Sequence, residues 1–204
     1  MAWEITGANA AITNPQPAGS LATHVAGGSL TFGSGVTASN TTDFFSASGF
    51  NTTSLAAAIT GGDFLSFTIT PAAGYALNIS SVSFNSGVST AVTNFNAALL
   101  SSATGFSSAG ALHSYSFATT TPPNQSITLS GTAALQGLTG VLEFRLYGWR
   151  DSAGTSTFRL RTLSGNDLVV TGSVSAIPEP GTYAMWIGAA ALAGAAIRRR
   201  WQTG

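Results

Sequence analysis

The chain has 204 residues, of which only 7% are charged and none is lysine, and its formal net charge is zero; soluble domains ordinarily carry about a quarter charged residues. That length suffices for one well-buried domain with a short appendage. Seven arginines cannot form the basic patch that nucleic acid needs, and the absence of cysteine excludes a disulfide framework or a thiolate metal site.

Residues 3–6 alternate apolar and polar side chains and predict a short first strand. The run Asn14-Pro15-Gln16-Pro17-Ala18-Gly19 is a loop by its punctuation. Residues 21–25 and 29–32 are strand candidates separated by Gly27-Gly28. Residues 33–51 are rich in Gly, Ser, Thr and Asn, with Phe44, Phe45 and Phe50 as anchors. Residues 55–59 amount to no more than a helical turn. No helix is expected before residue 181.

From Asp63 onward the pattern sharpens. Over 64–70, Leu65, Phe67 and Ile69 fall on one face of a strand. Pro71-Ala72-Ala73-Gly74 breaks it, and a second strand over 75–84 changes phase at Ser80-Ser81, which predicts a bulge. Further strands are expected over 94–100, 112–117, 126–129, 141–149, 156–161 and 167–175. Short strands with one apolar and one hydroxyl-rich face predict an all-β fold, with two antiparallel sheets packed as a β-sandwich of jelly-roll type. A right-handed β-helix is the rival, but no fixed repeat supports it.

Along 141–149, Leu142, Phe144 and Leu146 share one face while Glu143, Arg145, Tyr147 and Trp149 share the other. Residues 156–161, read as the neighbouring strand, point Phe158 and Leu160 inward and Arg159 and Arg161 outward. Aromatic rings flanked by groups that hydrogen-bond hydroxyls make Glu143, Arg145, Tyr147 and Trp149 a candidate glycan-binding face, with exopolysaccharide as a candidate partner. The plainer reading is a Glu–Arg ladder contributing ~0.2–1 kcal/mol per pair. Catalytic constellations are lacking: there is no His-Glu-x-x-His, no Gly-x-Ser-x-Gly and no P-loop lysine. A glycosidase pair would have to come from Asp63, Glu143, Asp151 or Asp167. No cofactor and no metal site is expected.

The last 29 residues, 176–204, differ from everything before them. Pro178-Glu179-Pro180 forms a stiff break, because proline fixes φ and removes the backbone donor. Residues 182–197 carry no charge, and Arg198, Arg199 and Arg200 follow. A helix over 181–197 would be about 25 Å long, the lower limit for crossing a bilayer core. Tyr183 and Trp186 near one end and Trp201 near the other suit the membrane interfaces, and the arginines favour the cytoplasmic side.

This ordered set resembles the PEP-CTERM sorting domain of exported bacterial proteins, in which a Pro-Glu-Pro motif, a short transmembrane helix and an Arg cluster address the protein to exosortase, a membrane transpeptidase. The resemblance implies that exosortase recognises Pro178, Glu179 and Pro180 and that Arg198, Arg199 and Arg200 act as the membrane stop signal. It also implies an exported, non-enzymatic domain over 1–175, transiently anchored in the inner membrane and then passed to the cell surface or extracellular matrix. The body, through residues 64–84, 144–149 and 154–160, is similar to the exported domain common in that family. Residues 1–5 contain neither a charged leader nor an apolar core, so the expectation is an export signal removed or encoded upstream.

Overall fold

The computed structural model describes residues 1–151, 157–162 and 165–178. In chain order the strands are β1 (Ala2–Trp3), β2 (Val25–Gly27), β3 (Thr31–Phe32), β4 (Thr37–Ala38), β5 (Phe44–Ser48), β6 (Phe64–Pro71) and β7 (Tyr75–Phe84). They continue as β8 (Ser86–Val88), β9 (Phe95–Ser101), β10 (His113–Phe117), β11 (Gln125–Thr128), β12 (Leu142–Arg150), β13 (Phe158–Arg161) and β14 (Leu168–Ala176). Two short helices interrupt them, α1 (Ala10–Thr13) and α2 (Leu55–Gly61). Every strand pairing among the described residues is antiparallel.

The long strands follow their side-chain alternation. Leu65, Phe67 and Ile69 of β6 are buried and pair with the equally buried Leu146, Phe144 and Leu142 of β12. The bulge foreseen at Ser80-Ser81 is present: Thr171 pairs with Ser81 but Gly172 pairs with Ile79, so Ser80 is the extra residue. Its backbone carbonyl is not idle, because the Leu129 N–H donates to it at 2.7 Å.

Several local expectations fail, and the strand expected over 21–25 lies instead at Val25–Gly27. The helical turn at 55–59 is a capped two-turn helix: the Ser54 side chain accepts from the Ala57 N–H, and Gly62, at φ 78°, closes the far end. Only glycine adopts that left-handed cap without strain. Residues 33–51 contain strands as well, since β4 and β5 pair there. Their small polar side chains hide a strand whose inward members, Phe45 and Ala47, are fully buried.

The strands of the described residues form three sheets where two were expected. One has the order β1-β14-β7-β11, a second β10-β9-β12-β6-β2 with β3 also on β6, and a third β4-β5-β13-β8. Asn85 alone separates β7 from β8, and its carbonyl accepts from the Arg161 N–H at 3.0 Å, so the two four-stranded sheets abut. Both cover the same face of the six-stranded sheet. Trp3 of β1 meets Phe67 edge-on at 4.9 Å, and Phe158 of β13 stacks on Phe95 of β9 at 4.9 Å. One aromatic-rich core lies between them. Each fully buried Phe or Leu in it contributes about 1.5–3 kcal/mol.

A second, smaller cluster lies on the opposite face of the six-stranded sheet. Ala58 of α2 packs there on Ala98, Leu100 and Tyr147, with Phe64, Phe106 and Trp149 around the rim.

Candidate functional site

The tail is delivered by β14, whose two halves differ. Its first half is held from both sides: β7 pairs along one edge, and on the other Ala2 and Trp3 pair with Val169 and Leu168. Val170 and Met1 exchange two further hydrogen bonds, Val170 N–H to Met1 O at 2.9 Å and the terminal ammonium to Val170 O at 3.1 Å. From Thr171 across the bulge to Ala176, the strand pairs with β7 alone among the described residues, and all but Val174 are exposed. The last ladder bond runs from the Ile177 N–H to Gly74 O at 2.7 Å, at the turn joining β6 to β7. Pro178 follows, exposed, and has no N–H with which to continue the ladder. Among the described residues, sheet pairing therefore reaches no further than Ile177, next to the predicted sorting motif. Glu179, Pro180, the helix expected over 181–197 and Arg198, Arg199 and Arg200 lie outside the described residues. Among the described residues no helix is long and apolar enough to cross a membrane.

Glu143, Arg145, Tyr147 and Trp149 do share one face of β12, but most of that face is covered. Tyr147 is fully buried beneath α2, its ring edge-on to Phe64 at 5.2 Å. Arg145 lies between two rings, its guanidinium carbon 4.5 Å from the Phe64 centroid and 3.9 Å from that of Phe106. It donates to both oxygens of Glu143, at 2.7 and 3.2 Å, and to the Tyr147 hydroxyl at 3.4 Å. Burial pulls its pKa down, but the Glu143 and Tyr147 contacts outweigh it and the net shift is upward. Trp149 is half-buried against the same cluster. The result is a closed polar-aromatic stack rather than an open row of rings.

The strand 156–161 is not the neighbour of β12, which corrects the expectation that Arg159 and Arg161 join this face. β13 pairs with β5 and β8 in another sheet. Phe158 and Leu160 do point into the core and are buried, as alternation required. The partners of β12 are β6 and β9, whose side-chain pattern matches that of β13 too closely for alternation to choose between them.

The four acids considered for hydrolysis are held by different groups. Asp63 is 3% exposed and accepts from the Thr52 hydroxyl at 2.8 Å. Burial pushes its pKa up, and that hydrogen bond opposes the shift. Glu143 pairs with Arg145, Asp151 accepts from Asn94 at 2.5 Å and Asn96 at 2.8 Å, and Asp167 accepts from the Ile5 N–H at 2.6 Å. His113 bonds Gln125 at 3.1 Å, while His24 stacks on Tyr75 at 3.8 Å beside the turn where the tail leaves. No three described His, Asp or Glu side chains converge as a metal site would require.

Sequence reasoning missed Phe64 and Phe106 as the rings enclosing Arg145, and α2 as the lid over Tyr147. Ser54 and Gly62, eight residues apart around an alanine-rich run, were the available signal for that lid.

The antiparallel domain thus ends its final strand at an exposed proline, Pro178, where a terminal peptide begins. That peptide is of a known kind: the family model of the PEP-CTERM protein-sorting motif matches residues 176–200. The chain carries that motif, which implies an exported protein that passes a membrane and is processed by an exosortase. No curated protein and no solved structure matches the chain.

Proposed function

We propose that this chain is a non-enzymatic exported protein whose domain is displayed at the cell surface or in the extracellular matrix after its tail is processed. In this reading the strands form a jelly-roll sandwich, the two abutting four-stranded sheets acting as one bent layer over the six-stranded sheet. A helix over 181–197 holds the domain to the outer side of the inner membrane, with Arg198, Arg199 and Arg200 in the cytoplasm. Exosortase then recognises Pro178-Glu179-Pro180.

The observation that carries this reading is that the last ladder bond of β14 among the described residues is made by Ile177, and the next residue, exposed Pro178, has no N–H to extend it. A transpeptidase needs extended backbone whose polar groups are not paired within a sheet. Proline at 178 keeps the segment from being drawn into the neighbouring strand. The half-strand 172–176 runs along β7 with Val174 still against the core and its other members exposed, and it brings the chain to the surface at Pro178. That Asp63, Glu143, Asp151 and Asp167 are each bonded to a different group supports the non-enzymatic part.

The test is fractionation of cells producing the full chain or its Glu179→Ala variant. The wild type should shorten and leave the inner-membrane fraction, while the variant stays there at full length. Identical processing of both would sink the assignment of the motif.

A further inference from the structure

Buried polar atoms without partners are rare in folded proteins and call for an explanation. Four of those in this protein gather on one patch: Ser46 Oγ, Asn85 Oδ1, Arg159 Nε and Arg161 Nε. Strand register brings them together. Arg159 lies opposite Ser46 on β5 and Gly87 on β8, and Arg161 lies opposite Phe44 and beside Asn85. Alternation places 44, 46, 85, 87, 159 and 161 on one side of the sheet, away from the buried Phe45, Ala47, Val88, Phe158 and Leu160. Ser46 is 1% exposed and Asn85 7%, whereas both arginines are half-exposed and reach solvent.

Among the described residues no carboxylate answers the two guanidinium groups. Each acid there is engaged elsewhere: Glu4 with the Thr6 N–H, Asp43 with the Gly7 N–H, and Asp63, Glu143, Asp151 and Asp167 as described above. Arg159 has the Phe44 ring, 4.1 Å from its guanidinium carbon. Arg161 and the Thr120 carbonyl both lie over Gly87, where an added Cβ would come within 3.1 Å of the Arg161 Cδ and 2.5 Å of the Thr120 oxygen, so the loop at Thr120 borders the patch. Burial, and secondarily the charge of Arg161, lower the pKa of Arg159, as expected of a cation that lacks its counter-charge.

The unpartnered atoms define what would satisfy them. Guanidinium forks match planar oxyanions such as carboxylates. The Asn85 amide nitrogen donates to Asn124, which leaves Asn85 Oδ1 as an acceptor in need of a donor, and Ser46 can serve either role. A simple anion would satisfy the arginines and leave Asn85 unsatisfied. A sugar acid supplies a carboxylate and adjacent hydroxyls together. We propose that the outer face of the β4-β5-β13-β8 sheet binds a polyhydroxylated carboxylate of the uronic-acid class, with Arg159 and Arg161 gripping the oxyanion and Ser46 and Asn85 bonding its hydroxyls. Seating it requires the two side chains to lift off the patch they now shield, Arg159 exchanging its ring contact for an ion pair.

The test is affinity electrophoresis of the full chain in neutral detergent, through native gels containing polygalacturonate or, as the neutral control, dextran. Polygalacturonate alone should retard the wild type, and the Arg159→Gln/Arg161→Gln double variant should need about tenfold more polymer for the same retardation. Near-UV circular dichroism checks that the double variant is folded. Arg145→Gln removes one equal charge from the other face and should leave retardation unchanged. Displacement by free galacturonate would identify a single acid as sufficient, and retention only by the polymer would assign the site to a chain of them. The proposal is overturned if dextran retards equally, if a folded double variant behaves as wild type, if Arg145→Gln loses as much, or if inorganic sulfate at equal ionic strength displaces the polymer as well as galacturonate does, which would mean an adventitious ion only.

Discussion

Two outer faces of this domain carry arginine, and they stand in opposite conditions. On β12, Arg145 is enclosed by Phe64 and Phe106, bonded twice to Glu143 and once to Tyr147, and roofed at one end by α2. On β13, Arg159 and Arg161 stand side by side over buried, unpartnered oxygens, and no acid among the described residues meets them. In a chain so poor in charge the difference separates structural from available cations. A guanidinium bonded to a carboxylate and enclosed by rings holds the fold together. One with a buried, unpartnered Nε and a like charge beside it adds repulsion and desolvation to the folded state, a cost that binding an anion would offset.

The sharpest way to break this comparison is Tyr147→Ala. Removing a buried ring between α2 and β12 should destabilise the domain by about 3–5 kcal/mol in urea unfolding. A small loss would mean that the face is open and that the glycan-binding reading of Tyr147 and Trp149 must be taken up again.

Arg145→Ala comes next. Loss of the two-pronged ion pair and both ring contacts should cost about 1–2 kcal/mol, with Glu143 left half-buried and unpaired. Ser54→Ala, which uncaps the helix covering that face, should cost about 0.5–1 kcal/mol by the same measurement.

Asp63 offers a test by pH. Burial raises its pKa, so the folded protein keeps this proton to a higher pH than the unfolded chain does. Stability should therefore fall as pH rises above the ordinary carboxylate range toward the raised value, and Asp63→Asn should remove that decline. A wild-type profile that instead rises through the window, with the Asp63→Asn variant tracing the same curve, would contradict the burial argument.

The smallest effect is the most telling for the comparison. Arg161→Gln should leave stability within about 0.5 kcal/mol of wild type or raise it slightly, because it relieves like-charge repulsion and breaks no ion pair. If it destabilised the domain as much as Arg145→Ala, the two faces would be equivalent after all.

Strong alternation made β6, β7, β12 and β14 legible, and the phase change at Ser80-Ser81 located the bulge. Strand β5 escaped notice because Ser46 and Ser48 dilute the apolar signal of Phe44, Phe45 and Ala47. The polar face of β12 was half legible: Glu143, Arg145, Tyr147 and Trp149 are on one side, as a period of two requires. That α2 covers Tyr147 depends on a distant, earlier segment of the chain, which no local pattern records.

The amino-acid order alone determined the division of this protein into an antiparallel body and a terminal sorting motif. Strand periodicity and proline punctuation are local properties, readable within a few residues. Which strands became neighbours was decided only in three dimensions, because β9, β6, β5 and β8 present similar alternating edges and the choice among them is made by packing. That choice placed Arg145 against Glu143 and left Arg159 and Arg161 together over Ser46 and Asn85.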